Sequence, residues 1–337
     1  MIIVLKPGIS KKEESAVLRE IRKLGYSTHV MRGVARTVVG AIGDERTHAN
    51  LESLGTWPQV ESVTPIQKRY KLVSREAHPT DSTVKARDVV VGGRKFQVMA
   101  GPCSVESEDQ LLRTAVAVRE AGATILRGGA FKPRTSPYEF QGLGEKGLKL
   151  LAKARRETGL PVVTELLSEN QAELVAEYAD ILQIGTRNAQ NFQLLIAAAK
   201  TGKPVLLKRG MSMRIEEWLL AGEYILANDN PNLLFCERGV RTFENYTRNL
   251  LDLSVIPILK SETHLPVVID PSQGTGKATL VTSMCKGAVA MGADALIIEV
   301  HPNPAEAWSD GAQQVTLDGF RTLMRDLRPF IAAAGRE

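Results

Sequence analysis

Apolar and polar positions alternate along this chain in two regimes, which meet near residue 95. The first opens on a short apolar run, Ile2–Leu5, stopped by Pro7-Gly8. Ser10 and Glu13 then stand at capping-box spacing, and Val17, Ile21 and Leu24 recur at helical intervals before Gly25. Residues 26–31 and 37–42 read as strands, joined by a turn at Arg32-Gly33. A short helix is expected at 47–54, closed by Gly55, and a further strand at 60–63. The order βαββαβ predicts a small ferredoxin-like α+β module over residues 1–70. It holds no cluster of catalytic residue types, so a sensing or assembly role is expected of it.

Residues 71–88 are polar and aperiodic and read as a linker, followed by a hairpin over 88–98 turning at Gly92-Gly93. The second regime then repeats one unit. Short apolar runs at 96–100, 124–126, 161–164, 181–184, 204–207, 232–236, 266–269 and 295–298 read as strands. Helical periodicity follows them at 108–121, 145–158, 169–178, 191–201, 214–228, near 249–253, 279–291 and 317–334. Eight strand-then-helix units over residues 89–337 predict an α/β fold, a (β/α)8 TIM barrel.

Composition narrows the function classes. A net charge of +5 is spread along the 337 residues with no Lys/Arg run, and aromatics make up 5%. That argues against nucleic-acid binding and fits a pocket for anionic metabolites. Cys103, Cys236 and Cys285 form no disulfide framework and suit a reducing compartment. The apolar start lacks a basic flank, and no apolar run nears the roughly 20 residues of a membrane span. A cytoplasmic protein is expected.

In such barrels the chemistry gathers where strands end and βα loops begin. All eight predicted ends carry polar or ionisable side chains: Cys103-Ser104, Arg127, Glu165, Arg187-Asn188, Lys208-Arg209, Glu237-Arg238, Asp270 with Ser272-Gln273, and Glu299 with His301. The second end opens into Gly128-Gly129-Ala130-Phe131-Lys132-Pro133-Arg134-Thr135-Ser136, a stiff cationic loop suited to oxyanions. Arg127, Lys132, Arg134, Arg187, Lys208 and Arg238 are too many cations for one carboxylate and imply at least two anionic groups, most simply phosphates. Cys103, Glu299 and Asp310 are ligand types for a divalent transition metal such as Mn, Fe, Co or Zn. Read alone, Cys103 is equally a small buried hydrophobe and Asp310 equally a turn carboxylate. Cys236 and Cys285 are assigned to packing, His264 to structure, and His301 to orienting a neighbour. Gly274-Thr275-Gly276-Lys277 matches a phosphate loop only loosely.

Seven motifs in order carry a resemblance: Gly-Pro-Cys-Ser at 101–104, Leu-Arg-Gly-Gly at 126–129, Lys-Pro-Arg-Thr-Ser at 132–136, Leu-Lys-Arg-Gly at 207–210, Cys-Glu-Arg-Gly at 236–239, Asp-Pro-Ser at 270–272 and Glu-Val-His-Pro at 299–302. Together they resemble 3-deoxy-arabino-heptulosonate-7-phosphate (DAHP) synthase, in the subgroup related to 3-deoxy-manno-octulosonate-8-phosphate synthase that carries an N-terminal ferredoxin-like (ACT-like) domain. The resemblance spans essentially the whole chain. It implies an aldol-like condensation of phosphoenolpyruvate with erythrose 4-phosphate, the entry to aromatic amino-acid synthesis. It implies that Arg127, Lys132, Arg187, Lys208 and Arg238 hold phosphoenolpyruvate, and that Arg134 and Thr135, stiffened by Pro133, receive the sugar phosphate. Cys103, Glu299 and Asp310 match three metal ligands, Glu165 and Asp270 fall near the reacting water and carbonyl, and Lys132 is placed to donate a proton. The family pattern has His as fourth ligand where this chain has Gln273, a weaker donor, so reduced metal affinity is expected. Feedback by tyrosine or phenylalanine through residues 1–70 is implied, as is a homo-oligomer such as a tetramer. Alternatives are the octulosonate-phosphate synthase, using arabinose 5-phosphate, or a Gln273-impaired regulatory subunit that assembles with an active synthase or with chorismate mutase.

Overall fold

Ser10 starts the first helix as its spacing predicts. Its hydroxyl accepts from the Glu13 N–H, and the Glu13 carboxylate accepts from the Ser10 N–H at 2.8 Å. The helix, α1 (Lys11–Lys23), turns Val17 and Ile21 onto a four-stranded antiparallel sheet. Burying each contributes about 1.5–3 kcal/mol. The sheet is built from β1 (Ile2–Leu5), β2 (Ser27–Arg32), β3 (Thr37–Ile42) and β4 (Val60–Thr64), in the order β2-β3-β1-β4. Ile3, Leu5, Val39 and Ala41 alternate into its core. The computed structural model describes residues 1–33, 36–43, 51–64 and 69–337, and they form two units, Met1–Arg69 and Tyr70–Glu337. Of the helix expected at 47–54, residues 47–50 lie outside the described residues. Leu51–Thr56 forms a 3-10 helix that buries Leu51 and Leu54.

The second unit begins with buried Tyr70, and Val73 is buried inside the stretch expected to be a linker. The hairpin also comes earlier than expected. It consists of β5 (Val84–Ala86) and β6 (Val89–Val91), and it turns at Arg87-Asp88 with Arg87 at φ 55°. Pairing Val91 with Val84 puts Val84, Ala86 and Val91 on one face, where all three are buried. Gly92-Gly93 only redirects the chain into the next strand.

Eight parallel strands then close a barrel: β7 (Gln97–Gly101), β8 (Ile125–Arg127), β9 (Val162–Leu166), β10 (Ile181–Ile184), β11 (Val205–Lys208), β12 (Leu233–Glu237), β13 (Val267–Ile269) and β14 (Ala295–Glu299). Their apolar runs are buried on both faces, as parallel strands under helices require. Inward residues such as Met99, Ile125, Val163, Ile181, Leu234 and Ala295 pack on the β5–β6 hairpin, which seals the N-terminal end. The outer layer comprises α2 (Glu108–Glu120), α3 (Glu145–Thr158), α4 (Ala172–Tyr178), α5 (Phe192–Lys200), α6 (Ile215–Leu226), α7 (Val255–Glu262), α9 (Ala278–Ala290) and α10 (Leu317–Ala333), with the short α8 (Pro271–Thr275) capping β13. None of the described helices is long and apolar enough to cross a membrane.

Two departures from the expected pattern bear on the site. The sixth helix was expected near 249–253 but is α7, starting at Val255. The earlier segment doubles back instead: Leu250 bridges Val240, and Asn249 donates to the Gln273 carbonyl at 3.1 Å. The helix α8 was not expected at all. Asp270 caps it by accepting from the Gln273 N–H at 2.9 Å, and Pro271 supplies the fixed φ suited to a first helical position.

Candidate active site

The C-terminal strand ends converge on a cavity of about 360 Å³. Arg127 closes β8, Lys208 closes β11 and Glu299 closes β14. Glu165 is next to last in β9, Arg238 follows β12, and Arg187 sits in a 3-10 turn after β10. Of the residues expected in the site, Arg127, Lys132, Pro133, Arg134, Thr135, Glu165, Arg187, Lys208, Arg238, Gln273 and Asp310 line the cavity. Cys103, Asp270 and Glu299 sit behind that lining, at most 1% exposed.

Ion pairs fix the floor. Arg127 donates to Glu299 at 2.9 Å and to the Pro102 carbonyl at 3.0 Å. Lys208 meets Asp270 at 2.5 Å. Asp270 thus uses one oxygen to start α8 and the other to aim Lys208. Lys132 donates to the Cys103 carbonyl and to its sulfur, both at 3.1 Å. Burial works against the charge on Lys132, yet the neighbouring Cys103 and Glu299 hold its pKa above the ordinary value.

Eight cations line the cavity, and half of them are already matched. Arg127, Arg134, Lys208 and Arg248 pair with Glu299, Glu139, Asp270 and Asp310. Among the described residues, Lys132, Arg187, Arg238 and Arg241 have no carboxylate within 4.0 Å. Arg238 is the most exacting case: it is 5% exposed, and its Nη1 is buried with no partner. Burial lowers its pKa, and an anion in the cavity would relieve both costs.

Cys103, Glu299 and Asp310 bring one sulfur and two carboxylate oxygens within 4.8 Å of one another. This donor set fits a divalent transition metal. The Cys103 thiol donates to Asp310 at 3.4 Å, and burial, followed by the charge of Glu299, pushes its pKa up to about 12. Burial also opposes ionisation of Asp310, but Arg248 and Lys132 outweigh it and hold that carboxyl below the usual range. Asp310 occupies the left-handed region at φ 48°, which Asp tolerates better than most residues. Gln273 turns its amide nitrogen to Glu299 at 2.8 Å and to Asp310 at 3.3 Å, and its oxygen accepts from Arg238 at 3.3 Å. In this orientation it offers the cluster hydrogens rather than a fourth donor atom.

Glu165 lines the other side. Gln183 donates to its Oε2 at 3.1 Å, and its Oε1 lies so close to Gly185 that a Cβ there would overlap it. Several lining residues escaped the sequence reading: Arg241, Arg248, Gln183, Asn249 and Glu139. Arg241 and Arg248 sit in the long loop after β12, where position in a βα loop was the available signal. Gln183 lies inside a strand, where nothing in the sequence separates an inward amide from an outward one.

A closed parallel barrel whose mouth combines unmatched cations with a sulfur–carboxylate cluster defines a barrel enzyme for polyanionic substrates. Residues 73–331 match the DAHP synthetase I family, and residues 1–68 match the DAHP synthase ferredoxin-like domain. The chain belongs to the DAHP synthetase I family. It is 48% identical over 335 residues to the phospho-2-dehydro-3-deoxyheptonate aldolase of Thermotoga maritima, covering 99% of each chain. It is 35% identical over 268 residues to a 2-dehydro-3-deoxyphosphooctonate aldolase of Nitratidesulfovibrio vulgaris, covering 74% of this chain and 96% of that one. The crystal structure of the Thermotoga maritima phospho-2-dehydro-3-deoxyheptonate aldolase (DAHP synthase) superposes with a TM-score of 0.95 at 47% identity, covering 100% of this chain and 98% of the other. A truncated form of the 3-deoxy-D-arabino-heptulosonate 7-phosphate synthase from the same organism gives a TM-score of 0.75 at 48% identity, covering 79% of this chain and 98% of that chain.

Proposed function

We propose that this chain condenses phosphoenolpyruvate with D-erythrose 4-phosphate and water, yielding 3-deoxy-D-arabino-heptulosonate 7-phosphate and inorganic phosphate, the first step of the shikimate pathway. The observation that carries this reading is the set of four cavity cations without a carboxylate partner. Two phosphates carry roughly −1.5 to −2 each, and the enol acid adds a carboxylate. The total, about −4 to −5, is of the size those four cations balance.

The buried cations Arg127, Lys132, Lys208 and Arg238, with Arg187 above them, hold the phosphate and carboxylate of phosphoenolpyruvate. Arg134 and Thr135 hold the phosphate of the aldose, with Pro133 stiffening their loop. A hydrogen bond of 3.3 Å from Arg187 to the Thr135 hydroxyl supports a reading in which the two seats adjoin. The methylene carbon of the enol attacks the aldehyde carbon, forming the new C–C bond, and the aldehyde oxygen takes a proton from Lys132 Nζ. Water adds at C2, and the bond from C2 to the phosphate oxygen then breaks to release phosphate. Glu165 lines the cavity, with its Oε2 accepting from Gln183, and is the better base for that water, because both oxygens of Asp270 are committed. A divalent metal held by Cys103, Glu299 and Asp310 would supply Lewis acidity at the aldehyde oxygen.

Residues 1–70 act on this reading as a feedback module for tyrosine or phenylalanine, in a homo-oligomer. Phosphate release from phosphoenolpyruvate should be measured with erythrose 4-phosphate and with arabinose 5-phosphate, across Mn, Co and Zn. Preference for arabinose 5-phosphate would overturn the choice of aldose. The orientation of Gln273 favours one second reading, a subunit that binds phosphoenolpyruvate without turning it over, and tight binding with no product under any of these metals would establish it.

A further inference from the structure

The loop from Lys132 to Gln141 contains its own anion. Arg134 donates through Nε to Glu139 Oε2 at 3.2 Å and through Nη2 to Glu139 Oε1 at 3.0 Å. The backbone N–H of Ser136 points at the same Oε2 at 3.4 Å. One edge of the guanidinium fork and the adjacent amide are thus taken by a carboxylate, and these are the donors a phosphate would use. Both Arg134 and Glu139 line the cavity.

Glu139 differs from the other carboxylates paired to cavity cations. The side chains of Glu299 and Asp270 are 2% exposed and that of Asp310 is 24% exposed, whereas the Glu139 side chain is 45% exposed. Its backbone carbonyl is held by the Gln141 side chain at 2.8 Å, so the main chain is anchored while the carboxylate has solvent to turn into. A half-exposed ion pair is weak, and a doubly charged phosphate held by the same fork is stronger.

We propose that Glu139 competes with the substrate's phosphate for the guanidinium edge of Arg134, and so sets the affinity and the anion selectivity of the aldose-phosphate seat. A phosphate dianion displaces it, while a weakly held monoanion or a carboxylate does not. This rests on the assignment of Arg134 and Thr135 to the aldose phosphate.

Glu139→Gln keeps the size and shape of the side chain and removes the charge. In the full-length chain it is expected to lower the KM for erythrose 4-phosphate by about two- to fivefold, the scale of a partly exposed ion pair. It should lower the inhibition constant of inorganic phosphate against erythrose 4-phosphate by a similar factor and leave the KM for phosphoenolpyruvate unchanged. Glu139→Ala should act in the same direction. Arg134→Ala serves as the control and should raise the KM for erythrose 4-phosphate at least about tenfold, with Glu139→Gln adding nothing in that background. If Arg134→Ala leaves that KM unchanged, the assignment of the seat is wrong. If Arg134→Ala behaves as expected but both Glu139 variants leave the KM unchanged or raise it, the proposal is overturned and Glu139 is a brace that orients Arg134.

Discussion

Gln273 donates an amide hydrogen to Glu299 at 2.8 Å, in the place where the family resemblance implies a metal-ligating His. The same amide accepts from Arg238, so one side chain ties the carboxylate cluster to the anion-binding cations. An imidazole at 273 would add a nitrogen donor to Cys103, Glu299 and Asp310. Gln273→His is therefore expected to raise affinity for Co(II) by at least about tenfold, read from the thiolate-to-metal absorption during titration. An unchanged binding curve would show that residue 273 does not limit metal affinity.

Asp270 and Lys208 form a buried pair at the back of the cavity. Asp270→Asn retains a good helix cap for α8 but strands the Lys208 ammonium, which is 4% exposed. The expected loss is about 3–5 kcal/mol of stability, measured by urea unfolding. Adding Lys208→Met should restore more than half of it. A single variant as stable as the parent would contradict the role given to this pair.

Gly185 gives Glu165 its place. A methyl at 185 overlaps the Glu165 carboxylate, so Gly185→Ala should displace it by about 1 Å and lower kcat about a hundredfold. The unfolding midpoint should move far less than the rate. Full activity in Gly185→Ala would remove Glu165 from the reaction.

Stability above neutral pH carries the mark of two buried thiols, Cys236 and Cys285. Burial raises the pKa of Cys236 and Cys285 in the folded chain, while in the unfolded chain they ionise near about 8.5. Below that value both states keep the proton and nothing is lost. Above it the unfolded state gains by ionising and the folded state does not, so stability falls as pH rises. Two thiols correspond to about 2.7 kcal/mol per pH unit. Urea unfolding between pH 9 and pH 10.5 (roughly the window above the unfolded pKa) should show that steepness reduced in the Cys236→Ala, Cys285→Ala double variant. Parallel profiles would refute the assignment.

Removing residues 1–69 should leave condensation activity within about threefold and abolish inhibition by tyrosine or phenylalanine. The second unit has its own core, and a truncated form of the Thermotoga maritima synthase has a solved structure. Inhibition that survives the truncation would place the effector site in the barrel.

The barrel was legible because eight buried strands and their helices each repeat one signal, and an error of two residues at any boundary leaves the count intact. The gathering of polar residues at the strand ends was legible for the same reason, since topology assigns those positions without any contact being known. What the sequence hid depends on distance between segments. The hairpin was misplaced because Val89–Val91 pairs backward with Val84–Ala86, a choice decided by burial of Val91 under the barrel. The helix expected near 249–253 gave way to cross-loop bonds from Leu250 and Asn249. Glu139 reads in sequence as an ordinary surface charge, and only the position of Arg134 makes it a cavity residue.

The β5–β6 hairpin finally sets traffic. With Val84, Ala86 and Val91 stoppering one end, the described residues leave the other end, where the cavity lies, as the way in. On the proposed assignment the buried Lys208 and Arg238 belong to the inner seat and the less buried Arg134 and Thr135 to the outer one. On that assignment the enol phosphate is expected to enter first and the aldose second.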